Sequence, residues 1–180
     1  MPVKHQRGFS LISIVLSIIL MSFALLTVTT SLVPKSQQNV ELIYSTKAAE
    51  LGAAVMDEIL GRQFDQKSGP NGGLPECDSP TGDPCTSPDD LGEDGDKEKG
   101  NRTLYNDVDD FNGLSGNVQD VLGDNLGSVY PNFSISISVF YDANLDGIAD
   151  TVSGNRKRIV VDVIDPSGQH YPFSVFRGNF

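Results

Sequence analysis

The sequence predicts an α+β protein in which one long N-terminal helix packs on a small antiparallel β-sheet. Three observations lead to this prediction. An uncharged apolar run fills residues 9–33, an amphipathic helical pattern follows it to about residue 60, and strand-like alternation fills much of residues 131–180. With 180 residues, the chain has the length of one domain, or of a small domain with an appendage.

The apolar run predicts a transmembrane helix. No residue from Phe9 to Val33 is charged, and 25 helical residues would span about 37 Å, enough for a bilayer core. The run is too long for the apolar core of a secretory signal peptide. Because Lys4 and Arg7 precede it, we expect a single-pass protein with a cytoplasmic N-terminus and its C-terminal domain on the opposite side of the membrane.

The amphipathic half of the helix is predicted over residues 34–64. Pro34 is expected as a kink or as the first position of a new turn, and Gly61 as the end of the helix. Apolar residues recur at intervals of three, four and seven, which predicts a stripe that faces a core. The stripe consists of Val40, Ile43, Tyr44, Leu51, Val55 and Ile59.

Residues 65–130 are predicted to be an acidic loop region. Of the 24 Asp and Glu residues, 17 lie within positions 57–124, and the net charge of −11 argues against nucleic acid as a partner. Cys77 and Cys85 flank a segment rich in Pro, Gly and Asp, which predicts a disulfide in an oxidising compartment.

One part of this loop region is expected to be well ordered. The segment YNDVDDFNG, at Tyr105–Gly113, pairs acidic residues with two aromatic residues. We predict that Tyr105 and Phe111 insert into the domain and anchor the loop there.

Residues 131–180 are predicted to form the C-terminal antiparallel sheet. Three strands are expected, at Phe133–Tyr141, Arg158–Ile164 and His170–Phe176. Their alternation of apolar and polar residues predicts that one face of the sheet packs on the helix while the other is exposed.

A candidate calcium site lies between the first two predicted strands. Oxygen-bearing residues fall at positions 1, 3, 5 and 9 of a calcium-binding loop, a glycine falls at position 6, and a backbone carbonyl is offered at position 7. These residues are Asp142, Asn144, Asp146, Asp150, Gly147 and Ile148. Position 12 is Ser153 rather than the Glu of an EF-hand. The alternative is a hairpin loop in which Asp, Asn and Gly form turns.

No catalytic motif is present in the sequence. The two histidines are His5 and His170, and there is no phosphate loop, zinc motif or nucleophile elbow. We therefore expect no enzymatic activity, and calcium is the one candidate cofactor.

The order of basic residues, glycine, phenylalanine and apolar helix resembles the leader of type IV prepilins and pseudopilins. The matching stretch is GFSLISIVLSI, which begins at Gly8. The resemblance implies that a prepilin peptidase removes residues 1–8 and methylates Phe9, while the helix stays in the inner membrane. It further implies the type IV pilin-like fold, major and minor pilins as partners, and later assembly into a pilus at the cell surface.

Ser13 departs from the usual pattern of that family. Major pilins usually carry Glu at the fifth mature position, where this chain has Ser13. A carboxylate inside a membrane is costly and is retained where it has a partner. Its replacement implies a minor subunit, and the Ser13 hydroxyl is expected to bond to its own helix backbone.

A closer resemblance extends over roughly residues 1–113. The stretch KAAELGAAVMDEILGRQFD at Lys47–Asp65, with Asn71–Gly73, the cysteine pair and Tyr105–Gly113, is similar to the MshD minor pilins of the mannose-sensitive haemagglutinin (MSHA) pilus. Two alternatives remain open. One is the tip pseudopilin of a type II secretion system. The other is an unprocessed bitopic membrane protein whose periplasmic domain is a calcium-dependent binding module.

Overall fold

The protein has an α+β structure with one long helix and a four-stranded antiparallel sheet. The computed structural model describes residues 10–69, 73–118, 126 and 128–180, and of residues 31–39 the backbone alone. The elements that matter below are helix α1 (Leu11–Leu60), the short helix α2 (Gly95–Glu98), and strands β1 (Ser115–Asn117), β2 (Ser134–Tyr141), β3 (Arg156–Ile164) and β4 (His170–Gly178).

The chain divides into two compact units, residues 1–43 and 44–180. The described part of the first unit is helical from Leu11 onward, and α1 shows no break in its helical assignment at Pro34. The helix ends at Leu60, where the amide of Gly61 still donates to the carbonyl of Asp57 at 3.1 Å. The prediction that the helix ends at Gly61 is confirmed, whereas the predicted amphipathic segment, residues 34–64, extends four residues beyond the end of the helix.

The core of the second unit lies between residues 44–60 of α1 and one face of the sheet. Part of the predicted stripe is confirmed, because Leu51, Val55 and Ile59 are fully buried in this core. The prediction was wrong for Val40 and Ile43, whose side chains are 46% and 54% exposed. Both precede Tyr44, where the second unit begins, and the buried core residues among the described side chains of α1 lie within that unit.

The sheet has the strand order β1-β2-β3-β4, and each neighbouring pair is antiparallel. The three predicted strands are confirmed with small shifts of their ends, whereas β1 was not predicted. Alternation buries one face: the inward side chains from β2 and β3 are Ile135, Ile137, Val139, Tyr141, Lys157, Ile159, Val161 and Val163. A lysine therefore lies on the buried face of the sheet.

Gly52 allows α1 to approach β4 closely. A Cβ at this position would lie 2.5 Å from two ring atoms of Phe173. We predict that Gly52→Ala lowers the free energy of unfolding by about 1 kcal/mol, because overpacking costs roughly 1–3 kcal/mol and outweighs a gain in helix propensity of about 1 kcal/mol. Urea denaturation measures this effect.

The same substitution in a Phe173→Ala protein tests whether the Phe173 ring causes the loss of stability. Without the ring, Gly52→Ala should raise the free energy of unfolding through helix propensity alone. If Gly52→Ala stabilises the wild-type background as well, the close contact with Phe173 does not matter.

Candidate functional site

The segment Leu11–Thr30 is a helix long and apolar enough to cross a membrane. All of its side chains are exposed in the isolated chain. Its hydroxyl side chains bond to backbone carbonyls three or four residues earlier, which satisfies polar groups that an apolar solvent would leave without partners. The residues that do so are Ser13, Ser17, Ser22, Thr27, Thr29 and Thr30.

Ser13 behaves as predicted. Its Oγ donates to the carbonyl oxygen of Ser10 at 2.7 Å, so the hydroxyl is bound within its own helix. The predicted cleavage residues, Gly8 and Phe9, lie outside the described part of the chain, which begins at Ser10.

Cys77 and Cys85 form the predicted disulfide, and both residues are buried. They belong to a small apolar cluster with Phe64 and Tyr141, separate from the main core. The disulfide therefore holds part of the acidic loop region against the end of β2.

The predicted calcium loop closes mainly through turn-type hydrogen bonds. The carboxylate of Asp142 accepts from the amide of Gly147 at 3.1 Å, and that of Asp150 accepts from Ala143 at 2.8 Å. The Nε of Arg158 lies 2.7 Å from the Asp142 carboxylate, so this acid already has a cationic partner.

The remaining predicted ligands of this loop bond mostly to one another. The amide of Ile148 donates to Asp146 at 2.8 Å, and the side-chain amide of Asn144 donates to Asp146 at 2.9 Å. Among the described residues, the groups of three carboxylates or thiols that gather within 4.8 Å lie elsewhere. This geometry suits the turn-forming alternative, and calcium binding here stays a prediction.

A buried charged site is centred on Lys157, whose side chain is fully buried. Its ammonium donates to the carbonyl of Phe64 at 2.8 Å, to a carboxylate oxygen of Asp65 at 3.0 Å, and to the carboxylate of Asp109. It also lies over the rings of Phe64 and Tyr141, 4.5 and 5.1 Å from their centroids. One cation thus joins β3 to two segments that are far away in the sequence.

Asp65 is the best satisfied acid of this site. Its carboxylate accepts from the amides of Lys67 and Thr86, each at 2.9 Å, and from the Thr86 hydroxyl at 3.0 Å. Burial alone would raise the pKa of Asp65, but the ammonium of Lys157 and these donors hold it below its ordinary value. Asp65 is therefore the ionised partner of the buried lysine.

Comparisons with protein-family models, with curated proteins and with solved structures found no match. The functional argument for this chain therefore rests on its own residues and geometry.

The Lys157 site was not predicted from the sequence, although one pattern could have revealed it. The second strand was predicted to start at Arg158, and β3 in fact starts at Arg156. Extending the alternation of Ile159, Val161 and Val163 back by two residues places Lys157 on the inward face. An inward lysine predicts a buried acidic partner, because an unpaired buried charge is very costly.

Proposed function

We propose that this protein is a minor pilin-like structural and assembly subunit of a type IV pilus of the MSHA type. A prepilin peptidase cleaves it after Gly8 and methylates Phe9. The helix then anchors the mature chain in the inner membrane, with the pilin-like domain in the periplasm, until the subunit joins major and minor pilins in a filament at the cell surface.

One observation carries this proposal. In the sequence, the Gly8–Phe9 pair comes two residues before an apolar helix whose side chains are all exposed over Leu11–Thr30. Such a surface requires lipid or apolar partner helices to cover it. A helix that is retained after cleavage is covered by lipid in the membrane and by partner helices in the filament. Ser13 adds support for a minor subunit, because its hydroxyl is bound within the helix and offers no carboxylate to a neighbour.

N-terminal mass spectrometry tests the processing step. We expect the full chain, expressed in a bacterium that assembles type IV pili, to lose residues 1–8 and to begin at N-methylated Phe9. In Gly8→Val the β-branched side chain crowds the bond to be cleaved, so the chain should keep its leader. The same host without its prepilin peptidase should also yield the uncleaved chain.

Gly61→Ala is the matched control, because it changes a glycine outside the leader, and it should be processed like the wild type. An intact leader in the wild-type chain, or cleavage after the apolar run, would contradict the proposal and favour the unprocessed membrane protein. If the processed chain assembles only into a type II secretion apparatus, the tip pseudopilin alternative replaces the pilus assignment.

A further inference from the structure

Three carboxylates converge in the loop region, away from the predicted calcium loop. Asp94, Asp107 and Asp110 each place a carboxylate oxygen within 4.8 Å of the others. Asp107 and Asp110 come from the ordered segment Tyr105–Gly113 and are 0% and 1% exposed, and Asp94 is half-buried. We call these three residues the acidic triad.

Two oxygens of the acidic triad are buried without a hydrogen-bond partner. Asp107 Oδ1 accepts from the amides of Asp109 and Asp110 at 2.8 and 3.3 Å, and Asp110 Oδ2 accepts from the amides of Asn106 and Asp107 at 2.7 and 3.2 Å. The opposite oxygens, Asp107 Oδ2 and Asp110 Oδ1, have none. The backbone therefore fixes each carboxylate through one oxygen, while the other oxygen is buried without a donor.

No basic side chain of the described residues forms a salt bridge with the acidic triad. Lys157 forms salt bridges with Asp65 and Asp109, and Arg102 forms a salt bridge with Glu58 at 2.6 Å. Lys157 and Lys67 attract carboxylates of the triad electrostatically without direct contact. The site thus holds three acids in a small volume without a direct cationic partner.

The neighbouring side chains increase the negative charge. Glu98 accepts from the amide of Asp94 at 2.8 Å, and Glu93 accepts from the amide of Gly100 at 3.1 Å. A cavity of about 440 Å³, whose lining includes Glu93 and Asp110, adjoins the triad. Asp110 therefore lies in the wall of this cavity.

Carboxylates held this close repel one another, and a divalent cation bound among them would relieve that repulsion.

We propose that Asp94, Asp107 and Asp110 bind a calcium ion. Carboxylates are hard oxygen ligands, and Ca²⁺ accepts six to eight oxygens in irregular geometry, whereas Mg²⁺ demands a near-ideal octahedron. Glu93 and Glu98 are further oxygen donors beside the triad. The ion ties the acidic loop that carries Asp94 to the ordered segment Tyr105–Gly113. The proposal does not depend on assembly into a pilus.

Thermal unfolding of the full chain in detergent micelles tests this site. After treatment with a chelator, addition of millimolar calcium should raise the Tm by roughly 5 °C or more, and magnesium should raise it less. The double variant Asp107→Asn/Asp110→Asn should lose the shift. Asparagine keeps an oxygen to accept the backbone hydrogen bonds, so the loop retains these contacts while it loses both charges.

Single substitutions still test the site if the double variant does not fold. Asp94→Asn, at the half-exposed member, should move the midpoint of a calcium titration to a concentration about tenfold higher. Asp96→Asn is the matched control, since Asp96 is exposed in α2 and lies outside the triad. Asp146→Asn tests the predicted calcium loop, and both control variants should keep the wild-type shift.

Three results would overturn the proposal. The first is that calcium leaves the Tm of the wild type unchanged and shows no binding in the titration. The second is a full calcium response in Asp94→Asn, and the third is a calcium response that is lost in Asp146→Asn but kept in the triad variants.

Discussion

Lys157→Met should lower the free energy of unfolding by about 3–5 kcal/mol, which is a large part of the stability of a typical domain. Methionine fills similar space but leaves the buried carboxylates of Asp65 and Asp109 without their cation. It also leaves the carbonyl of Phe64 without its donor at 2.8 Å. Urea denaturation monitored by circular dichroism measures the loss.

Two further variants establish that charge, and not packing, causes the loss. Arg156→Met removes an exposed basic residue of the same strand and should change the stability by less than about 0.5 kcal/mol. Adding Asp65→Asn and Asp109→Asn to Lys157→Met should recover part of the lost stability, because no uncompensated buried charge then remains. A loss below about 1 kcal/mol in Lys157→Met alone would show that the buried ion pairs contribute little.

Local patterns in the sequence were enough to predict the secondary structure of the long elements. Helix α1 ends at Leu60, as the glycine at position 61 predicts, and the strict Ser–apolar alternation of β2 specifies both the strand and its buried face. β1 could not be predicted in this way. It has three residues, two of them Ser115 and Asn117, and it exists because it pairs with Ser134–Ser136 of β2.

The candidate sites depend on contacts between distant segments, and single-sequence patterns carry little information about those. Asp65 follows the helix and Lys157 lies 92 residues later, so no periodic pattern in the sequence could predict their ion pair. By contrast, the predicted calcium loop is local, and its spacing was easy to recognise. Spacing alone did not show that Arg158 lies beside Asp142, which requires the pairing of β2 with β3.

The ordered segment Tyr105–Gly113 was predictable from the sequence only in part. Its two aromatic residues predicted insertion into the domain, and this is confirmed: Tyr105 is 2% exposed and Phe111 is fully buried. Which acids this insertion would bring together was not predictable, because Asp94 comes from a different part of the loop region.

Phe111→Ala is expected to cost about 3–5 kcal/mol, because it empties the core position that holds this segment in place. The ring is packed edge-to-face on Tyr105, with centroids 5.2 Å apart, and the guanidinium of Arg102 lies 5.2 Å from its centroid. Urea denaturation gives the total loss. Phe180→Ala is the control, since that ring is 88% exposed and its removal should cost less than about 0.5 kcal/mol.

Hydrogen exchange shows where the effect of Phe111→Ala acts. Amides of residues 105–113 should exchange faster than in the wild type by a larger factor than amides of β3, because the segment can open locally while the sheet stays folded. The amides of Asp109 and Asp110 are the most informative, since both donate to the fixed oxygen of Asp107. Equal acceleration throughout β3 would mean that Phe111 supports the whole domain and that the segment is no separate unit of stability.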